Sequence, residues 1–272
     1  MSTTTLASRP ARAAGAGPIL RQWRQARRMS QLDLAVEAEV STRHLSFVET
    51  GRSRPSRELL IHLAEHLDVP LRERNHLLLA AGYAPVYRES TLDDPDLAPV
   101  RAALDQILAS HAPFPSIVVD QHWDLVTANA PALQVMTDGV APHLLADGPN
   151  ALRVSLHPDG LAPRIANLAE FSAHLLSRLR RQAGATGDTR LVDLHDELRG
   201  YPGVDPGHHL PSDPASQLFV PLRLRVDGGE WAFFSTLSTF GTALDITVAE
   251  LAIESFFPAD EATAAGLRAA AG

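Results

Sequence analysis

Residues 30–56 read SQLDLAVEAEVSTRHLSFVETGRSRPS, and their punctuation predicts two short helices joined by a tight turn. Ser30 can cap the first helix, which carries Leu32, Leu34, Ala35 and Ala38. Ser41 can cap the second, which turns Leu45 and Val48 inward and stops at Gly51. A serine hydroxyl accepts from the free N–H groups of a first helical turn, and glycine tolerates the left-handed residue that ends a helix. Ala35 is small enough for two helices to touch there, and Val40 supplies an apolar turn residue. Apolar residues continue at helical spacing on both sides. Pro18 precedes Ile19, Leu20, Trp23 and Ala26; Ser56 precedes Leu59, Leu60, Leu63, Ala64 and Leu67; Pro70 opens a stretch through Leu77–Leu79 to Gly82. Five helices within residues 18–83 make a compact all-α domain.

Two helices crossing steeply through a tight turn form a helix-turn-helix, whose second helix enters the major groove of duplex DNA by its N-terminal side chains. With Leu45 and Val48 inward, Ser41, Thr42, Arg43, Ser46 and Phe47 remain at or near the outward start of that helix. Arg43 suits a forked contact to guanine O6 and N7, and Thr42 or Phe47 suits a thymine methyl group. Gln31 stands at the start of the preceding helix, where an amide and free backbone N–H groups can meet a phosphate. Arg52, Arg54 and Arg57 follow in a polar loop as further phosphate contacts.

Charge supports an anionic partner for this segment alone. Residues 1–57 carry ten arginines against four acidic residues, and the rest of the chain fourteen against 28, so a +6 module precedes a −14 module within a net charge of −8. Such asymmetry between segments is informative where the whole-chain value is not. Cysteine is absent, which removes disulfides, thiolate metal sites and thiol nucleophiles. Residues 1–17 read as a disordered, weakly basic arm without the apolar core of a secretory signal. No run reaches the roughly 18 apolar residues of a membrane span, so a cytoplasmic location is expected.

The residues Gln31, Ala35, Val40, Ser41, Leu45, Ser46, Glu49, Gly51, Arg52, Pro55 and Ser56, with Leu59, Leu63 and Ala64, resemble the Xre or phage-repressor family of helix-turn-helix domains. The resemblance implies that Glu49 is structural, holding the loop at Gly51 and Arg52. Phe47 departs from the polar residue often found at its position, and either touches DNA or packs.

Residues 84–99, APVYRESTLDDPDLAP, read as a linker, followed by a connecting helix from Pro99 to Ser110. Beyond it, SIVVDQHWDLVTAN (116–129) predicts a two-stranded hairpin, residues 164–181 a helix, and Asp193–Leu198 a shorter one. LFVPLRLRV (218–226) and EWAFFSTLSTFGT (230–242) flank an Asp-Gly-Gly turn at 227–229 and predict a second hairpin. ITVAELAIESFFP fits strand or helix; its β-branched start and aromatic end favour a strand over 249–257. The second domain, 113–260, is therefore expected to be α+β with an antiparallel sheet, ahead of a tail at 261–272.

Candidate chemistry in this domain is sparse. Asp120, His122 and Asp124 surround a turn, His157 lies in the turn-forming HPDG, and His195, Asp196, His208 and His209 have no metal-ligand spacing. No metal, cofactor or catalytic residue is assigned. FPSIVVDQHWDLVTANAPA, the helix after Arg164 with GDTRL, PLRLRV and the stretch from Trp231 to Asp260 closely resemble the ligand-binding domain of MmyB-like regulators, a PAS-like fold. The resemblance implies an apolar cavity for a small hydrophobic molecule, foremost a fatty acid or similar amphiphile. Phe171, Leu175, Phe233, Leu237 and Phe240 are the pocket candidates, each equally suited to ordinary core, and Asn129 either binds ligand or ties a loop to the sheet. A homodimer on a pseudo-palindromic operator is expected, because a two-fold protein matches paired half-sites. A DNA-tethered enzyme and a regulator with a ligand-free interaction module remain the alternatives.

Overall fold

The computed structural model describes residues 15–205, 207, 220–227 and 229–270. The chain divides into two compact units, the first ending at Glu89 and also holding Leu244–Ile246, the second beginning at Ser90. Most of the expected N-terminal arm, His208, His209, Leu218 and Gly228 lie outside the described residues.

The first unit holds α1 (Ala16–Ala26), α2 (Gln31–Glu37), α3 (Thr42–Glu49), α4 (Arg57–His66) and α5 (Leu71–Ala80), in the expected order. Each serine cap works as anticipated. Ser30 and Asp33 form a reciprocal capping box, Ser41 Oγ accepts from the His44 N–H, and Ser56 Oγ accepts from the Leu59 N–H. Pro70 caps α5 instead of entering it, and Pro18 is the third residue of α1 instead of the first. Leu20, Trp23, Leu34, Leu45, Leu60, Leu63 and Leu77 fill one core. Gly17 sets the approach of α1 to α3, since a Cβ there would lie 2.3 Å from the Val48 carbonyl oxygen.

The second unit runs α6 (Ala98–His111), β1 (Ser116–Val119), β2 (Leu125–Ala128), α7 (Ala130–Thr137), α8 (Ala151–Leu156), α9 (Leu168–Thr186), α10 (Thr189–Arg199), β3 (Leu222–Val226), β4 (Gly229–Thr239), α11 (Ile246–Ala249, all but its first residue), β5 (Ala252–Pro258) and α12 (Glu261–Ala270). The strands form one antiparallel sheet ordered β2-β1-β5-β4-β3, so the last strand in sequence is the central one. The α+β expectation holds. Period-2 alternation gives the sheet two apolar faces. Ile117, Val119 and Leu224 face the core completed by α7–α10, whereas Val118 and Ile253 pack with Leu104 and Leu108 of α6.

Several expectations change. The connecting helix α6 is part of the second unit, because its apolar stripe covers the sheet. The ambiguous ITVAELAIESFFP is both things in turn, a four-residue helix followed by a strand that starts at Ala252. The expected tail is largely helical, and α12 buries Thr263, Ala264 and Leu267. Its Gly266 lies beneath Trp231, whose Nε1 would be 2.7 Å from an added Cβ. Helices α7 and α8, each under nine residues, escaped the sequence reading because such short segments display barely two turns of periodicity.

Candidate functional site

In the first unit α2 and α3 meet at Ala35, which is buried, and the chain turns between them with Glu39 in the left-handed region at φ 52°. The turn is closed by the Val40 N–H donating to the Ala35 carbonyl. Leu45 and Val48 point into the core and leave Arg43 fully outward, with Thr42, Ser46 and Phe47 half-buried beside it. The Arg43 guanidinium stands 5.4 Å from the Phe47 ring centroid, so the aromatic face steadies the arginine on the helix surface. Arg52, Arg54 and Arg57 are exposed beyond α3. Arg54 also donates to the Ala81 carbonyl and lies over Tyr83, which limits its reach.

Behind this surface lies a charged network that sequence reasoning missed. The Arg24 guanidinium donates to both carboxylate oxygens of Glu49, at 2.6 and 2.8 Å, and to the Met29 carbonyl. Arg24 is 7% exposed and Glu49 4%. Burial by itself pushes the Glu49 pKa up; the Arg24 and Gln31 hydrogen bonds and the arginine charge outweigh it, holding the carboxyl below its ordinary value. Glu49 is thus structural, as the resemblance implied, but it fastens α3 to α1 and α2 instead of bracing the loop at Gly51. Gln31 gives its amide N–H to Glu49 Oε2 at 2.8 Å. The second N–H of that amide is left for a phosphate oxygen, beside the backbone N–H groups at the start of α2. Both charged residues were visible as the i+4 members of apolar triplets, Leu20-Trp23-Arg24 and Leu45-Val48-Glu49.

In the second unit a cavity lies between the sheet and α7–α9. It offers about 60 Å³ to the centre of a water-sized sphere and about 670 Å³ of empty space with its mouth included. Ile117, Met136, Leu152 and Phe256 supply apolar wall, together with the expected Phe171, Leu175 and Phe233. Among the described residues the polar contributors are few, chiefly Ser155 and Glu254.

Comparison with known proteins bears on both units. The profile of the MmyB-like transcription regulator ligand binding domain matches residues 100–270. The chain belongs to the MmyB-like transcription regulators. A helix-turn-helix profile matches residues 20–74 of this MmyB-like regulator, which identifies it as a DNA-binding transcription regulator. No curated protein sequence matches it. Among solved structures an RNA-binding light-oxygen-voltage receptor is similar, at 15% identity and a TM-score of 0.27, covering 91% of this chain. The regulator spans 61% of that receptor.

Not every pocket candidate of the MmyB-like domain reaches its cavity. Leu237 is 45% exposed near the end of β4, and Phe240 packs with the α6 cluster behind the sheet. Strand alternation accounts for Phe240, which has the parity of Phe234 and not of Phe233. Asn129 caps α7: its Oδ1 accepts from the Ser116 and Ala132 N–H groups, and its Nδ2 donates to the Phe114 and Leu108 carbonyls. All its hydrogen-bonding capacity therefore goes to backbone.

The polar residues near the first hairpin build structure. Asp120 Oδ1 accepts from the His122 and Asp124 N–H groups, and His122 Nε2 pairs with Asp188 at 2.7 Å. Burial raises and the His122 bond lowers the Asp188 pKa, with the lowering prevailing. His157 Nδ1 accepts from the Asp159 N–H within the expected HPDG turn, and the hydrogen-bond partner of His195 among the described residues is its neighbour Asp196. His143, His157 and Asp159 offer ligand atoms within 4.8 Å of one another, on a mostly exposed surface. Among the described residues no helix is long and apolar enough to cross a membrane.

Proposed function

We propose that this regulator binds duplex DNA as a homodimer on a pseudo-palindromic operator and that a small apolar or amphiphilic molecule in its cavity modulates operator affinity. The observation that carries the reading is the apolar cavity of the ligand-binding domain on the same chain as a helix-turn-helix with an arginine-flanked recognition helix. Thr42, Arg43, Ser46 and Phe47 read base edges. Arg52, Arg57 and, within its tether, Arg54 meet phosphates, while Ser41 caps the recognition helix where it faces the backbone of DNA. The cavity wall, with Phe171, Leu175 and Phe233, suits an alkyl body of the kind a fatty acid carries. A ligand acts here only by preferring one conformer of the chain, since equal affinity for both shifts nothing. The two domains are residues 18–83 and 113–260, to which α6 and α12 are added by packing, and the protein works in the cytoplasm.

Native mass spectrometry of the purified protein tests occupancy and dimerisation together, and electrophoretic mobility shift on a selected operator tests the coupling. The expected result is a dimer whose operator affinity changes when the co-purified molecule is stripped and restored. A stripped protein that binds its operator with unchanged affinity would refute the coupling.

A further inference from the structure

Among the described residues the cavity has one charged wall residue, and its chemistry decides which head group the cavity accepts. Glu254 lies on the central strand β5, in phase with Ala252 and Phe256, which belong to the apolar face that closes the core. It is 8% exposed and lines the cavity. A carboxylate at such a place is costly to desolvate and needs partners. The partners lie to one side. Ser235 donates to Oε1 at 2.7 Å, and an Nη of Arg178 stands 3.5 Å from the same oxygen. Among the described residues Oε2 accepts no hydrogen bond. No buried side-chain polar atom among the described residues is left unpaired, so Oε2 faces accessible space.

Arg178 does not line the cavity. It lies over the Trp123 ring, 4.4 Å from the centroid, and Trp123 is itself a wall residue held by its Nε1 bond to Gln182. The cation is therefore placed behind the wall, where it neutralises Glu254 from the far side, and the anion is presented to the interior. A ligand carboxylate entering this cavity would meet acceptor against acceptor.

We infer that Glu254 is a specificity-determining residue and that the cavity selects amphiphiles whose polar end donates a hydrogen bond, an alcohol, amide or protonated amine, over those ending in a free carboxylate. The inference rests on the proposed ligand-binding role of the cavity and narrows it: the body is alkyl, the head is a donor. It also separates the ligand class from the free fatty acids that an apolar wall alone would admit.

Equal chain lengths cancel the apolar contribution, so 1-octanol, octylamine and octanoate are the probes, titrated calorimetrically into the full chain at neutral pH. Octanol and octylamine are expected to bind at least about tenfold more tightly than octanoate, the scale of one hydrogen bond to a charged group gained against one lost. The second domain is acidic on balance, so Glu254→Gln assigns the discrimination: its amide still accepts from Ser235, and the gap between octanol and octanoate should close. Octanoate binding as tightly as octanol to the wild type would overturn the inference while leaving the cavity reading intact, and needs no variant to fold. An undiminished gap in Glu254→Gln would overturn it as well. Failure of all three probes to bind would remove the cavity reading together with the inference.

Discussion

Removing the Glu49 carboxylate should nearly unfold the DNA-binding unit. Glu49→Ala takes away the acceptors of two guanidinium hydrogen bonds and one from Gln31, and leaves Arg24 at 7% exposure with only the Met29 carbonyl. Breaking a buried ion pair from one side costs about 3–5 kcal/mol, because the remaining charge stays desolvated and uncompensated. Against a domain stability of about 5–15 kcal/mol that is a large fraction. With a urea dependence of about 1 kcal/mol per molar for so small a unit, the transition midpoint should fall by about 3–5 M. Hydrogen exchange on the full chain, followed by mass spectrometry of peptides within residues 16–82, separates this unit from the second. The second unit should keep its protection. Replacing both charges by apolar residues of similar size, Arg24→Met with Glu49→Leu, should restore most of the stability, since no isolated ion then remains. A midpoint shift under about 1 M for Glu49→Ala, or a double variant no better than the single, would refute the reasoning.

Three further outcomes follow from the same geometry. The folded-state pKa of Glu49 lies below its unfolded value of about 4.3, so its contribution is complete above that value and is lost as pH falls through the folded pKa; the first unit's urea midpoint should hold from pH 7 to about 5 and drop below about 4. Arg43→Ala should erode discrimination between operator and random duplex, whereas Arg57→Ala should weaken both alike and lower the salt slope by about one; mobility shifts across a salt series distinguish these. Asn129→Ala leaves two backbone N–H groups and two carbonyls without their partner and should cost about 2 kcal/mol or more in thermal unfolding, yet leave octanol affinity within about threefold, an outcome opposite to that of a ligand contact.

Local signals determined much of this protein. The serine caps, the stops at Gly51 and Gly82, and the helical spacing of the leucines fixed the first unit's five helices, because each depends on interactions within a few residues. The first hairpin was equally legible, with Asp120 closing its own turn. Tertiary structure alone decided the rest. Strand β5 becomes central only when β1 and β4 arrive on either side, and no property of AIESFFP announces its neighbours. Phe233 lines a cavity and Phe240 backs onto α6 through strand parity combined with packing partners far away in the chain. The buried charges are the sharpest case. Arg24, Glu49 and Glu254 stand at positions where periodicity demands apolar residues, and read alone they look like surface. A charge can occupy such a position only if partners from other elements meet it, Glu49 and Arg24 meeting each other across 25 residues, Ser235 and Arg178 meeting Glu254 from β4 and α9. Sequence marks the anomaly; the fold supplies the compensating group and determines which oxygen is left for a ligand.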